Sequence, residues 1–438
     1  MKYRNLGKHL LAGLAITASG STMAAGSAVE ELLKALYQNG TIDKATYELV
    51  QQASKAENEQ NRAQIREISV AESKKAASDV VAKVKSSKPS VKLGGRIQLD
   101  AGSVSEDNVD HNSGTEIRRA RLFAKGDLHK DWGFKLQYDF TASGPDGIQD
   151  AYLDYKPLKI RIGHAKEPFS LQNMTSSKYT TFIERGLPHV FAEGRNIGIQ
   201  TSRNGDNWMV AGGIFGDGRD GGSGDENNEG WGAAVRATIA PINVDGETLH
   251  LGTSLSYRNV GGDHTLQFKE RPEAHITEKR IVDTGKFDAN SVTRGVLEAA
   301  YINGPFHVQG EYYHTEVERQ LSGMKDLSFA GYYVEAGLFL TNDSVSYKAS
   351  KGSYSKVKPT GNNGAWQIAA RFSNLDLTDE DISGSKGGEA ESFTLGLNWF
   401  ATPNIRFSAN YIDILDVDGG PTDGDEPSAF TFRSQVEF

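Results

Sequence analysis

The sequence predicts an all-β protein, a 16-stranded antiparallel transmembrane β-barrel with an N-terminal helical, coiled-coil-like extension. Three observations predict it. From Val91 to Phe438 apolar and polar residues alternate with period two in short runs, as strands with one apolar face do. Tight turns alternate with long, polar, glycine-rich connections. The chain ends in SAFTFRSQVEF, which puts Phe430, Phe432, Val436 and the last residue, Phe438, on one face.

Composition excludes other classes. The chain has 438 residues, no cysteine and a net charge of −9, with mean hydropathy −0.49. No eighteen-residue apolar run follows the first thirty positions, which excludes a helical membrane protein. Without cysteine there is neither a disulfide framework nor a thiolate metal site. The acidic balance argues against nucleic acid as a partner.

Residues 1–25 read as a secretory signal peptide. Lys2, Arg4 and Lys8 precede an apolar centre at Leu10–Thr17, with cleavage after Ala24 or Ala25. Losing those three cations takes the net charge from −9 to −12. Residues 26–90 form a helical segment ending in the linker Ser86-Ser87-Lys88-Pro89-Ser90. Two short helices are expected around Asn39-Gly40, with Asp43 as N-cap of the second. Beyond them Ala53, Ala56, Ala63, Ile65, Ile68, Val80 and Val84 make a broken heptad, a weak coiled coil or a solvated helix.

The barrel domain spans 91–438, with sixteen alternating runs from 91–103 to 428–438. VKLGGRIQLDA, WGFKLQYDF and FTLGLNWF show the pattern plainly. Tyr138, Tyr257, Trp399 and Tyr411 near strand ends are candidates for interfacial girdles. Short turns at 303–305 and 401–404 contrast with long connections at 216–230, 259–291, 341–364 and 414–427, as on the two rims of an outer-membrane barrel. Arg161–Arg195 has no sustained period, and its part at about 165–195 is expected to fold inward as a constriction.

If apolar side chains face lipid, the alternate set lines water. That set carries twelve cations, Arg119, Arg121, Lys125, Lys135 and Arg161 among them, against eight acids. A net positive lumen lowers the barrier for anions, and arginine offers planar donors matched to oxyanions. Pairing of these charges merely to solvate the interior is the other reading. No residue spacing matches a nucleophile elbow or a zinc motif, so an enzyme is not expected, although His164, His189, Ser170, Ser176 and Ser177 leave a barrel hydrolase to be tested. No cofactor is implied. A structural role, with residues 28–88 tethering the barrel to the cell wall or trimerising it, is a further alternative.

Several stretches resemble the phosphate- and polyphosphate-selective porins, the porin O/P family: KLGGRIQLD at 92–100, RRARLF at 118–123, KDWGFKLQYDF at 130–140, TSSKYTTFIER at 175–185 and LGLNWFATPNIRFSANY at 395–411. The resemblance implies an outer-membrane homotrimer of sixteen-stranded barrels, each passing small anions along lumen arginines to a central basic site. Arg96, Arg118 and Arg119 match family lumen arginines. Lys269 and Arg271 match the first two positions of an arginine ladder that Glu273 and Thr277 then interrupt. The family's central lysine falls at Asn173, its aspartate at Gln149, and a neighbouring tyrosine at Lys166. With Lys178 on the inward loop, the expected pore lining is complete. The expected function is passive diffusion of small, preferentially anionic solutes.

Overall fold

In the computed structural model, residues 30–86, 89–216, 229–261, 264–382 and 387–438 are described. The first 25 positions, where a signal peptide is expected, lie outside them. The chain divides into two compact units, residues 1–87 and 88–438.

In the first unit residues 30–38 form α1, and the chain turns at Gly40 with φ +67°. Asp43 Oδ1 accepts the Thr46 amide at 2.8 Å, capping α2 (Lys44–Ser86). Tyr37 stacks on Tyr47 with ring centroids 5.0 Å apart and closes the pair. The second helix is not short, contrary to the sequence expectation. It runs 43 residues without a break. Its Ala, Glu, Lys, Gln and Arg are strong helix formers, and no glycine or proline interrupts them before Pro89. Leu49, Ile65 and Ile68 on it are more than half exposed. Proteolysis between Ser86 and Ser90 is expected to release this unit and leave a heat-modifiable β-rich barrel on gels. Loss of the β signal in circular dichroism after that cut would show the helices are integral to the barrel.

The second unit is a closed antiparallel barrel in which each strand pairs with its sequence neighbours and the last pairs with the first. The strands are β1 (Ser90–Val104), β2 (Gly114–His129), β3 (Trp132–Asp139), β4 (Ile148–Tyr155), β5 (Ile160–Lys166), β6 (Arg195–Asn204), β7 (Trp208–Gly216) and β8 (Trp231–Val244). They continue as β9 (Glu247–Asn259), β10 (Ser291–Asn303), β11 (Phe306–Glu318), β12 (Leu327–Phe339), β13 (Ala365–Asp376), β14 (Glu389–Thr402), β15 (Ile405–Asp418) and β16 (Ser428–Glu437). Closure leaves no strand edge unpaired, which is what a bilayer demands of a β protein. At the seam Arg433 forks onto Asp100, Nε–Oδ1 2.7 Å and Nη2–Oδ2 2.6 Å.

Alternation decides which way side chains face. Leu93, Leu136, Ile199, Leu255, Leu297 and Leu395 stay about half exposed or more on the outer wall. Arg96, Asp139, Glu298, Glu311 and Arg371 are buried on the inner one. Aromatic rings band the outside near one rim, where Trp366 stacks on Trp399, Trp399 on Phe407 and Phe407 on Phe432. Trp231 against Tyr257 lies toward the other rim.

One connection is on the other rim from that expected. The stretch 341–364 joins β12 to β13 beside the short turns, because twelve strands return the chain to the rim where β1 starts. It does not extend outward. Its hairpin, Ser346–Lys348 with Ser353–Ser355, folds into the barrel. There the Gly352 carbonyl accepts Arg236 Nη2 at 2.6 Å and the Tyr347 hydroxyl meets His250 Nδ1 at 2.5 Å.

Candidate functional site

The connection between β5 and β6, residues 167–194, also fills the lumen. It opens with Ser170 at φ 59°, whose Oγ caps the short helix α3 (Leu171–Met174) by accepting the Asn173 amide at 3.0 Å. Glu311 on β11 accepts the Leu171 amide at 2.6 Å, the Gln172 amide at 3.0 Å, and the hydroxyls of Tyr313 and Tyr333 at 3.2 and 2.7 Å. Arginines of the wall grip the second half by its carbonyls. Arg406 donates to Thr180 and Thr181, Arg433 to Ile183, and Arg371 to Glu184. Arg258 and Arg294 pair with Glu193, and Arg258 also with Glu167. All five lie on β9, β10, β13, β15 and β16. Together they supply donors to carbonyl and carboxylate groups of the loop inside the barrel.

Opposite this anchored side lies a cavity of about 450 Å³ between the loop and β1, β2, β3, β5 and β6. The strands contribute Arg96, Arg119, Arg121, Lys125, Lys135, Lys166 and Arg195, and the loop Lys178 and Arg185. No Asp or Glu lines it among the described residues. Four carboxylates stand just behind. Asp139 holds Arg121 at 2.5 Å, Asp150 holds Arg195 at 2.9 Å and also Lys135, Glu437 holds Lys178, and Glu184 lies 3.9 Å from Arg119. Arg96, Lys125, Lys166 and Arg185 make no ion pair among the described residues. Arg96 reaches Ser176 Oγ at 3.3 Å, Lys166 donates to the Asn173 carbonyl, and Arg185 donates to the Gln172 and Thr175 carbonyls.

Of the loop's own groups here, one is a cation, one is neutral and one is an anion. Burial pulls Arg185 down to about 10, still charged at neutral pH. Burial and the cations Arg185 and Lys166 hold His189 well below its usual value, so it is neutral. Burial pushes Glu184 up, but the guanidinium groups of Arg118, Arg119 and Arg433 outweigh it and hold the carboxyl well below its usual range. A second cavity of about 290 Å³ adjoins the first, sharing Arg119, Arg185 and His189 and adding Arg118, Arg271 and Arg280 together with Glu184, Glu270 and Glu273.

A closed sixteen-stranded barrel narrowed from within has the form of a diffusion channel, and sequence comparison decides the family. Residues 91–438 match the model of the family described as phosphate-selective porin O and P. The chain belongs to that family. Porin O of Pseudomonas aeruginosa is 27% identical over 80% of this chain and 88% of its own length. A protein of Caulobacter vibrioides is 30% identical over 75% of this chain and 69% of its own. Among solved structures the barrel is similar to OmpT of Vibrio cholerae, an outer-membrane protein, with TM-score 0.52 at 9% identity over 80% of this chain and 98% of that one. At that identity the likeness speaks for the fold alone. Porin O/P membership makes the chain an outer-membrane porin, a channel.

Eleven residues were expected to line this porin's passage, and the structure distributes them. Arg96, Arg119, Arg121, Lys125, Lys135, Lys166 and Lys178 meet at the larger cavity. Arg118 and Arg271 line the smaller one, where Arg118 forks onto Glu184 at 2.9 and 3.2 Å and Arg271 pairs with Glu278 at 2.9 Å. Arg161 and Lys269 reach neither. Arg161 forks onto Asp154, and Lys269 is exposed beside Gln267. Strict alternation cannot turn both Arg118 and Arg119 inward. A β-bulge does so, since the register passes from Gln98↔Arg119 to Leu99↔Ile117 and leaves Arg118 without a cross-strand partner.

Sequence reasoning missed Arg185, Arg195 and Arg236. Arg195 opens β6 and Arg185 sits in an aperiodic loop, so neither carried a periodic signal. Arg236 did carry one, alternating with Val235 and Ala237 on β8, and it is fully buried against Glu298 at 2.8 Å.

Proposed function

We propose that this porin favours small anions. The observation that carries the reading is the larger cavity, walled by nine cations and by no carboxylate among the described residues. An anion entering there sheds part of its hydration and finds guanidinium forks and ammonium groups in its place, while a cation finds only repulsion. The four carboxylates behind the wall compensate part of the charge and leave a surplus of five cations. Close charges in a narrow passage reinforce one another, whereas those more than about 8–10 Å apart are screened at physiological salt.

The central subsite differs from the family pattern that the sequence resembles. Asn173 is tied by its side chain to the Glu193 carbonyl at 2.8 Å, and Lys166 brings an ammonium to its backbone oxygen. Lys166 thereby stands in for a lysine on the loop. We expect chloride preference in reversal-potential measurements across a KCl gradient, declining as salt rises, and weak block of chloride current by phosphate. Asn173→Lys should strengthen the block and Lys166→Gln should weaken it further. Cation preference in the wild type would defeat the reading. The homotrimer that the family resemblance implies is part of the proposal, and cross-linking in detergent tests it.

A further inference from the structure

We infer that the cavity wall at Phe123 is a subsite for anions that carry an aromatic ring, an inference that rests on the anion-porin reading and narrows it. Phe123 lies two residues from Arg121 and two from Lys125, on the same inward face of β2, between Gly94 of β1 and Gln137 of β3. It lines the larger cavity, where the other residues are mostly charged or polar.

The neighbouring strand makes room for the ring. A β-carbon at Gly94 would come within 2.5 Å of Phe123 Cζ. Glycine at that position leaves room for the ring beside the β1 backbone, and the ring also lines the cavity. Two ammonium groups stand over it, Lys125 at 5.3 Å and Lys135 at 5.5 Å from the centroid, and these lysines are themselves cross-strand partners. The next inward residue around the wall from Lys135 is Tyr152, with Arg161 stacked on it at 3.7 Å. The wall from β2 to β5 thus alternates aromatic face and cation.

Packing does not require Phe123 to be there. The lumen aromatics that serve packing, such as Tyr313 and Tyr333 of the wall and Phe182 and Phe191 of the inward loop, are fully buried, whereas Phe123 and Tyr152 are only half-buried. A small inorganic anion gains nothing from an aromatic face. An anion with a flat ring removes that face from water while its charged group remains with Lys125 and Lys135. The cavity, about 450 Å³, has room for both parts.

Full-length protein in planar bilayers, carrying chloride current, decides the matter with two pairs of blockers: phenyl phosphate against methyl phosphate, and benzoate against acetate. The ring-bearing member should half-block at about tenfold lower concentration, toward the low end of what stacking on an aromatic side chain contributes. Phe123→Leu, which keeps apolar volume but removes the π-face, should erase the difference, and Phe123→Tyr should keep it. Preference in the phosphate pair alone assigns the subsite to aryl phosphates, and in the carboxylate pair alone to aryl carboxylates. Equal block within both pairs by the wild type overturns the inference without need of any variant, as does a ring preference that survives in Phe123→Leu. The reversal potential in the same bilayers reports separately on anion preference, so failure of the subsite and failure of the anion reading are distinguishable.

Discussion

Replacing Arg96 and Arg119 together with glutamate is expected to bring the channel's preference for chloride over potassium close to unity. The cavity holds nine cations against four nearby carboxylates, and the double change leaves seven against six. These two arginines are chosen because their direct hydrogen bonds go to neutral groups, Arg96 to Ser176 and Arg119 to Gln98 at 3.0 Å. Removing Arg96 breaks no ion pair, and removing Arg119 gives up only the 3.9 Å contact with Glu184, which Arg118 and Arg433 hold more closely. Arg121, by contrast, is bonded to Asp139, and its loss would free a carboxylate as well. At 4 Å a unit charge is worth roughly 4 kcal/mol near a protein surface, and about 1 kcal/mol in bulk water. A change of four charges in a narrow passage therefore outweighs any small shift in shape. Single-channel reversal potentials at low salt read the effect. An unaltered preference in the double variant would mean that ions bypass this wall.

The second large effect is mechanical. Glu311→Leu should raise single-channel conductance and open the inward loop to trypsin at Lys178 and Arg185. Glu311 receives four donors, two of them the first amides of α3, and every partner is buried. Leucine fills much the same space and accepts nothing. Stranding buried donors costs about 1–3 kcal/mol each, so the two α3 amides alone put at least about 2 kcal/mol of loop anchoring at stake. One effect opposes it. Glu298 lies directly across from Glu311 on β10, and relief of like charge there is worth only about 0.2–1 kcal/mol. Stranding prevails. Unchanged conductance together with unchanged protease protection would show that the arginine grips alone hold the loop.

The sequence showed all sixteen strands because a barrel wall is amphipathic at period two along its whole length, and that signal survives in WGFKLQYDF as clearly as in FTLGLNWF. Side-chain direction was legible for the same reason. What failed were features that period two does not encode. The length and polarity of 341–364 say nothing about which rim it joins; strand parity does. The bulge at Arg118 shifts register by one residue without any glycine or proline to announce it. Arg371, Arg406 and Arg433 point inward as period two requires, yet they are spent on loop carbonyls. Inward direction tells that a side chain leaves the lipid, not whether it meets water or another segment.

The arginine grips and the cationic wall occupy different arcs of the same cylinder. That separation makes the barrel divisible for engineering and for descent with modification. Arg121, Lys135 and Arg195, which bond carboxylates of the wall and not the loop, can be exchanged to suit a different solute while the grips on β9, β10, β13, β15 and β16 keep the loop in place. A lineage of such barrels can therefore diversify in diet without relearning how to assemble.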